Sequence, residues 1–297
     1  MLMQVLDSSR FPEFFQSLNA HEPFPWQSRL ADRLFRAEGW PSVLDLPTGT
    51  GKTAAIDLAV YHLAAQSGQP ARSAPLRIVY VVDRRTLVDQ AFERAQRLAR
   101  RLETATDGIL GEVRQALLRY PVTSGRPLEV AVLRGGIPRS DGWIRRPDQP
   151  LVAISTVDQV GSRLLFRGYG VSRSMRPVHA GLLGNDVLYL LDEVHLSVPF
   201  QETLEGINRR YRSWNTQSLP APFAVMQMSA TPRQDGADRL CLEEADRSHP
   251  VLRRRLEASK PTDCVAVPPS RFLPELEKQA LAQAVRPGAT VLVVVNR

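Results

Sequence analysis

Eight consecutive residues, Leu46-Pro47-Thr48-Gly49-Thr50-Gly51-Lys52-Thr53, have the types and spacing to hold a nucleoside triphosphate. Glycines at 49 and 51 let backbone N–H groups come close to phosphate oxygens. Lys52 is placed to reach the β- and γ-phosphates, and the Thr53 hydroxyl to hold Mg²⁺. A second chemical pair, Asp192-Glu193, lies in Leu191-Asp192-Glu193-Val194-His195. Downstream of a phosphate loop such a pair divides its work. Asp192 binds Mg²⁺, usually through water, and Glu193 orients and deprotonates the attacking water. A third group is Ser229-Ala230-Thr231-Pro232, whose hydroxyls can bond to the acidic turn and couple nucleotide state to domain motion. In isolation Asp-Glu after a strand is a solvated turn or helix cap, and Ser/Thr before proline is a turn. The phosphate loop upstream reverses the reading of the acidic pair.

Those residues need elements to aim them. Ser42 to Asp45 is a short β-prone stretch, and Ile56, Ala59, Val60 and Leu63 recur at helical spacing just after the loop. A strand, a glycine turn and a helix start is the setting a phosphate loop requires, with the helix dipole adding positive potential. The strict pattern G-x-x-x-x-G-K is not met, because Leu46 stands where its first glycine would. Nearly continuous apolar runs at 77–82, 129–133, 151–154, 187–191 and 223–228 predict strands buried on both faces. Between them, Leu87, Val88, Ala91, Phe92, Ala95, Leu98 and Leu102 form a helical stripe, and 199–214 reads as another helix. Arg94, Arg97, Arg100 and Arg101 read as the solvated face of the first, Met226 and Met228 as core, and Trp143 as locally packed. The alternation predicts an α/β, doubly wound, mostly parallel sheet, with loops at 134–150 and 168–185.

Composition shifts near Ser248-His249-Pro250, followed by a linker-like Lys260-Pro261-Thr262, a helix at 273–284 and a β-prone run at 290–296. The expected organisation is a first lobe over 1–247 and, over 248–297, a linker with the incomplete start of a second lobe. The chain reads as a partial protein, with 291–295 an apolar strand lacking its sheet and expected to be mobile or aggregation-prone.

The 297 residues include 38 Lys and Arg against 31 Asp and Glu, a net charge of +7 that favours a polyanionic partner. Two cysteines, Cys241 and Cys264, are too few for a disulfide framework or a zinc site. No run approaches a membrane span and the N-terminus carries no leader pattern, so a cytoplasmic protein is expected.

Taken in order, these motifs resemble those of the superfamily 2 helicases, with motif I at 46–53, a DExH box at 192–195 and Ser-Ala-Thr at 229–231. The resemblance implies RecA-like lobes, ATP with Mg²⁺ on Thr53 and Asp192, and coupling of hydrolysis to motion through His195, Ser229 and Thr231. Phe24-Pro25-Trp26-Gln27 resembles the family's adenine-reading motif, which implies that Gln27 joins the ATP site. Three further stretches resemble the motifs lining the strand-binding face. They are Val82 to Gln90, Arg134-Gly135-Gly136 and Ser155-Thr156-Val157-Asp158-Gln159, and they imply nucleic-acid contacts at Arg84, Arg85, Arg134, Gly135, Thr156 and Gln159. Such side chains and glycine N–H groups suit phosphate oxygens and carry little sequence preference.

Within the superfamily the wording is most similar to the helicase-nuclease of type I CRISPR systems. The cues are Asp83 to Gln90, Ser155 to Gln159, Asp192 to His195, and Arg255-Leu256-Glu257-Ala258-Ser259-Lys260. That resemblance implies 3′-to-5′ travel on single-stranded DNA, a guide-RNA surveillance complex as partner, and unwinding of target DNA in antiviral interference. None of the five histidines is followed by Asp, so the family's His-Asp nuclease motif lies outside this chain. The second lobe's late motifs are also missing, including an arginine finger worth on the order of 10³–10⁵ in rate, so poor turnover is expected of this chain alone. The alternatives are a restriction-system translocase, an RNA helicase of the same superfamily, or a fragment that binds nucleic acid without hydrolysis.

Overall fold

The computed structural model describes residues 5–69, 71–83, 85–120, 126–135, 142–192, 197–211, 222–229, 238–258, 262–285, 288, 290–293 and 295, with backbone alone at 85–87 and 210–211. It forms two units, the first running to Glu257 and the second from Ala258.

The first unit is built on seven strands: β1 (Val43–Asp45), β2 (Arg77–Val82), β3 (Glu129–Leu133), β4 (Leu151–Thr156), β5 (Val187–Asp192), β6 (Phe223–Ser229) and β7 (Arg239–Cys241). They lie in the order β3-β4-β2-β5-β6-β1-β7, with every pairing parallel. Parallel strands need crossovers, and the helices supplying them cover both faces of the sheet. Because a strand alternates its side chains, β2 sends Ile78, Tyr80 and Val82 into one core and Val79 and Val81 into the other. The first core takes α1 (Phe11–Asn19), α2 (Pro25–Phe35), α3 (Ala55–Ala65), α4 (Arg85–Thr104) and α5 (Gly108–Leu117). The second takes α6 (Gly142–Arg145), α7 (Val157–Leu164), α8 (Arg176–Gly184) and α9 (Val198–Gly206). The fold is therefore the doubly wound, parallel α/β sheet that the alternation predicts, the class to which the RecA-like lobe implied by the motif resemblance belongs.

The helix behind the phosphate loop is the best buried of these. Residues 55–64 of α3 are all buried, and Tyr61 packs among Phe11, Phe14 and Phe35 with ring centroids 5.7, 5.0 and 5.9 Å away. A rigid, fully packed helix holds the loop at its start to a small volume.

Four sequence expectations need correction. The helix read over 199–214 is α9 from Val198 to Gly206, continued by a wider π-helical turn, Ile207–Tyr211; 212–214 lie outside the described residues. Neither loop stretch is all loop: α6 occupies Gly142–Arg145 within 134–150, and α8 occupies Arg176–Gly184 within 168–185, where Pro177 can begin a helix. The arginine face of α4 is not merely solvated: Arg94 donates to the buried Asp57 carboxylate, Arg97 to Asn19 Oδ1 at 3.3 Å and Arg101 to the Ser17 carbonyl at 2.6 Å. In the second unit, the described residues of 290–296 form no strand, since a strand needs a hydrogen-bonding neighbour and none stands among that unit's described residues. Its helix does form, over Phe272–Ala284. Met226, Met228 and Trp143 are buried as expected, the last with its ring edge-on to His179.

Candidate functional site

The register aligns the ends of the strands. Asp45 of β1 pairs with Ser229 of β6, Val82 of β2 with both Asp192 of β5 and Thr156 of β4, and Leu133 of β3 with Ser155. The motifs therefore share the carboxyl edge of one sheet, where ligands of open α/β folds bind. Strand order also divides that edge. The nucleotide candidates follow β1, β6 and β5, and the nucleic-acid candidates follow β2, β4 and β3.

At the phosphate loop, Gly49 and Gly51 have φ of +87° and +82°, a conformation that costs a side chain free energy. A Cβ on Gly49 would meet nothing within 4 Å, so the loop's mouth is open at this point. A Cβ on Gly51 would sit 3.3 Å from the Phe24 ring and 3.4 Å from Gln27 Nε2. Thr48 and Gly49 are exposed, Thr50 is buried, and the Thr50 hydroxyl donates to the Pro47 carbonyl at 2.8 Å. Lys52 is buried, and its Nζ donates to the Leu46 carbonyl at 3.0 Å. The ammonium is thus folded back over the loop, at the position where the unmatched Leu46 supplies the acceptor. Gln27 is also committed to the fold: its Oε1 accepts from the Phe24 N–H at 2.9 Å and its Nε2 donates to the Gly51 carbonyl at 3.4 Å.

The metal candidates converge on one phenol. Tyr80 Oη donates to Asp192 Oδ2 at 2.5 Å and lies 3.4 Å from Thr53 Oγ1. Burial, followed by the Asp192 charge, holds the phenol's pKa well above its usual 10, so Tyr80 stays protonated and donates. A hydroxyl and a carboxylate gathered around one oxygen-sized point are the hard donors Mg²⁺ prefers, with nucleotide phosphates and water completing the shell. The residues therefore fit Mg²⁺-ATP. A cleft of about 490 Å³ opens here, lined by Thr53, Tyr80, Asp192 and, from α4, Gln90, Arg94 and Arg97.

Three further residues support the loop without being among the expected site residues. Trp26, next to Gln27, donates from Nε1 to the Thr50 carbonyl at 3.0 Å, propping the loop from beneath. Its backbone N–H goes to Asp246 Oδ1 at 2.7 Å, and the buried Asp246 also accepts from Arg29 at 2.7 Å and from the Glu243 N–H at 2.9 Å. Arg255 donates to the Gly49 carbonyl at 2.8 Å with its guanidinium over Phe24, bringing a further cation to the loop. Two of these had a signal to find, since Trp26 lies inside the adenine-motif stretch and Arg255 opens the stretch Arg255 to Lys260; Asp246 had none.

Of the strand-binding candidates, Arg134 pairs with Asp89 of α4 at 2.9 Å, and Gly135 follows it at the end of β3. Thr156 is buried at the start of α7, and Gln159 Oε1 accepts from Arg163 at 2.8 Å. Arg85 opens α4. Arg84, Glu193, His195 and Thr231 lie outside the described residues.

Residues 20–234 match the family described as type III restriction enzyme, res subunit. No curated protein matches. Among solved structures the chain is similar to the helicase Lhr of Mycobacterium smegmatis, determined with ssDNA and AMP-PNP, at 19% identity and a TM-score of 0.47, over 78% of this chain and 27% of that one. It is also similar to the yeast DEAD-box splicing factor Prp28, at 17% identity and a TM-score of 0.44, over 76% of this chain and 45% of that one. The chain thus spans less than half the length of either protein.

Proposed function

The chain belongs to the family of the type III restriction enzyme res subunit, within the superfamily 2 helicases, and on that premise we propose that it is the ATP-binding lobe of a DNA helicase or translocase. Residues 1–247 are the RecA-like motor lobe in this reading, and 248–297 the linker and the start of a second lobe. The observation that carries it is the alignment of the phosphate loop with Tyr80 and Asp192 along one sheet edge, with basic and hydroxyl residues along the rest of that edge.

Lys52 would exchange the Leu46 carbonyl for a β- or γ-phosphate oxygen, and the glycine-loop N–H groups would bind the others. Thr53 and Asp192 would hold Mg²⁺, which supplies charge neutralisation at the transferring phosphoryl group. Glu193 would orient the attacking water and take its proton. His195, Ser229 and Thr231 would carry the change along β5 and β6, while Arg84, Arg85, Arg134, Gly135, Thr156 and Gln159 hold single-stranded DNA by its backbone. Gln27 would favour adenine after releasing its present partners. The setting proposed is cytoplasmic.

The resemblance of Asp83 to Gln90 and of Asp192 to His195 supports a role in type I CRISPR interference, alongside a guide-RNA surveillance complex and a separate His-Asp nuclease. The family's description favours a second reading, a restriction-system translocase, which uses the same lobe. Both are tested by Mg²⁺-ATP hydrolysis with and without single-stranded DNA or RNA, beside Lys52→Ala and Glu193→Gln. The expected result is weak turnover that DNA stimulates and that both variants lose. Equal turnover in Glu193→Gln would remove the assigned base, and stimulation by RNA alone would overturn the DNA assignment. Co-purification with a surveillance complex or with a modification subunit then separates the two settings.

A further inference from the structure

The carboxyl end of α7 carries a backbone feature that packing does not explain. The Phe166 N–H bonds to the Arg163 carbonyl at 3.1 Å and the Arg167 N–H reaches back to the Ser162 carbonyl at 2.7 Å, the paired bonds of a Schellman cap. Phe166 occupies the left-handed position of that cap, with φ +59°. Glycine is the usual residue there, and a bulky side chain at such φ is an outlier. Burial does not offset the strain, because Phe166 remains 55% exposed. Its neighbours Leu165 and Tyr169 are each 59% exposed as well.

The surroundings point to a ligand class. Residues 165–176 contain Arg167, Arg173 and Arg176 and no acidic residue. Phe166, Arg167, Tyr169 and Arg176 line an open groove of about 1040 Å³ together with Phe200 and Thr203 of α9. Asp158, near the start of α7, is the acidic side chain of its lining. The same α7 begins beside Thr156, and its 8 residues place the aromatic pair about 12 Å beyond that candidate contact. Exposed aromatic faces interleaved with arginines suit bases and phosphates together, the combination by which single strands are held without sequence preference.

We propose that Phe166 and Tyr169 form a base-stacking platform for single-stranded nucleic acid, with Arg167, Arg173 and Arg176 taking the adjoining phosphates. This rests on the nucleic-acid reading above and extends it to residues outside the helicase motifs. The probe is an oligo-dT carrying one 2-aminopurine, read by anisotropy for affinity and by fluorescence quenching for stacking. Wild type should bind and quench. Phe166→Gly should melt no lower than wild type, yet bind about tenfold or more weakly and lose most of the quench. Tyr169→Ala should weaken binding in the same direction, and Phe166→Tyr, which keeps a ring, should retain both signals. Wild-type affinity and quench in Phe166→Gly and Tyr169→Ala would overturn the platform and leave the nucleic-acid reading standing. A lower melting temperature for Phe166→Gly would make the ring structural and overturn the platform too. No binding by wild type would overturn both.

Discussion

The phosphate-loop end of the sheet and the 165–176 segment stand in opposite relation to the fold. Around the loop almost every polar group is spoken for. Lys52, Gln27, Thr50, Trp26 and Asp246 are all bonded and buried, so the fold itself accounts for their positions. At 165–176 the fold accounts for little, with three large apolar side chains exposed and one of them in a strained backbone well. A nucleotide site must be preorganised to aim several donors at fixed oxygens. A strand-holding surface must instead leave faces uncovered for bases that slide past. Bonded burial and unexplained exposure are two signatures of two kinds of binding.

That contrast can be broken first at Asp246. Asp246→Ala removes the acceptor of three buried or half-buried donors and should cost about 3–5 kcal/mol, read as a lowered urea midpoint. Weaker ATP binding should accompany it, through Trp26 and the Thr50 carbonyl. A cost below about 1 kcal/mol would mean that the loop does not depend on this brace.

The next effect is a pH dependence. His62 lies within α3, and burial lowers its pKa from 6.5 to about 4. On acidification the unfolded chain takes the proton first, so the contribution is intact above pH 6.5 and falls away towards pH 4. Its full size is roughly 3 kcal/mol. Urea melts at several pH values should show this slope in wild type and a flatter one in His62→Gln. Equal slopes would place the titrating group elsewhere.

Tyr80→Phe should be milder, costing about 1–2 kcal/mol by deleting one partner of Asp192. Protection against melting by Mg²⁺-ATP should survive, because Thr53 and Asp192 remain. If that protection disappears, Tyr80 is part of the nucleotide site rather than a strut beside it.

The smallest effect has the opposite sign. Phe166→Gly should stabilise the fold by about 1 kcal/mol or less, since the relief of left-handed strain is partly offset by glycine's greater unfolded-state entropy. A gain at 166 beside losses at 246 and 80 would sharpen the difference between the two regions. A loss at all three would erase it.

Much of the architecture was legible along the chain. The runs at 77–82, 129–133, 187–191 and 223–228 became strands because buried parallel strands must be apolar on both faces. The arginines of α4 were misread because their partners, Asn19, Ser17 and Asp57, are 37 to 84 positions away in sequence. The described residues of 290–296 form no strand, because a composition that suits a strand does not supply the hydrogen-bonding neighbour that a strand also needs. Tyr80 passed as core, since no local pattern tells which face of β2 meets the phosphate loop.

What the sequence determined by itself is the chemistry available: a loop with glycine, lysine and threonine at fixed spacing, an acidic pair after an apolar run, and an excess of basic residues. Neighbouring residues share a strand end or a helix turn, so local spacing suffices to recognise such groups. Only the tertiary structure decided their arrangement. It set β6 between β1 and β5, brought Tyr80 onto Asp192, seated Asp246 beneath α2, and left Phe166 exposed in a left-handed cap. Those are relations between segments far apart in the chain, and strand order and packing settle them through the burial of whole faces at once.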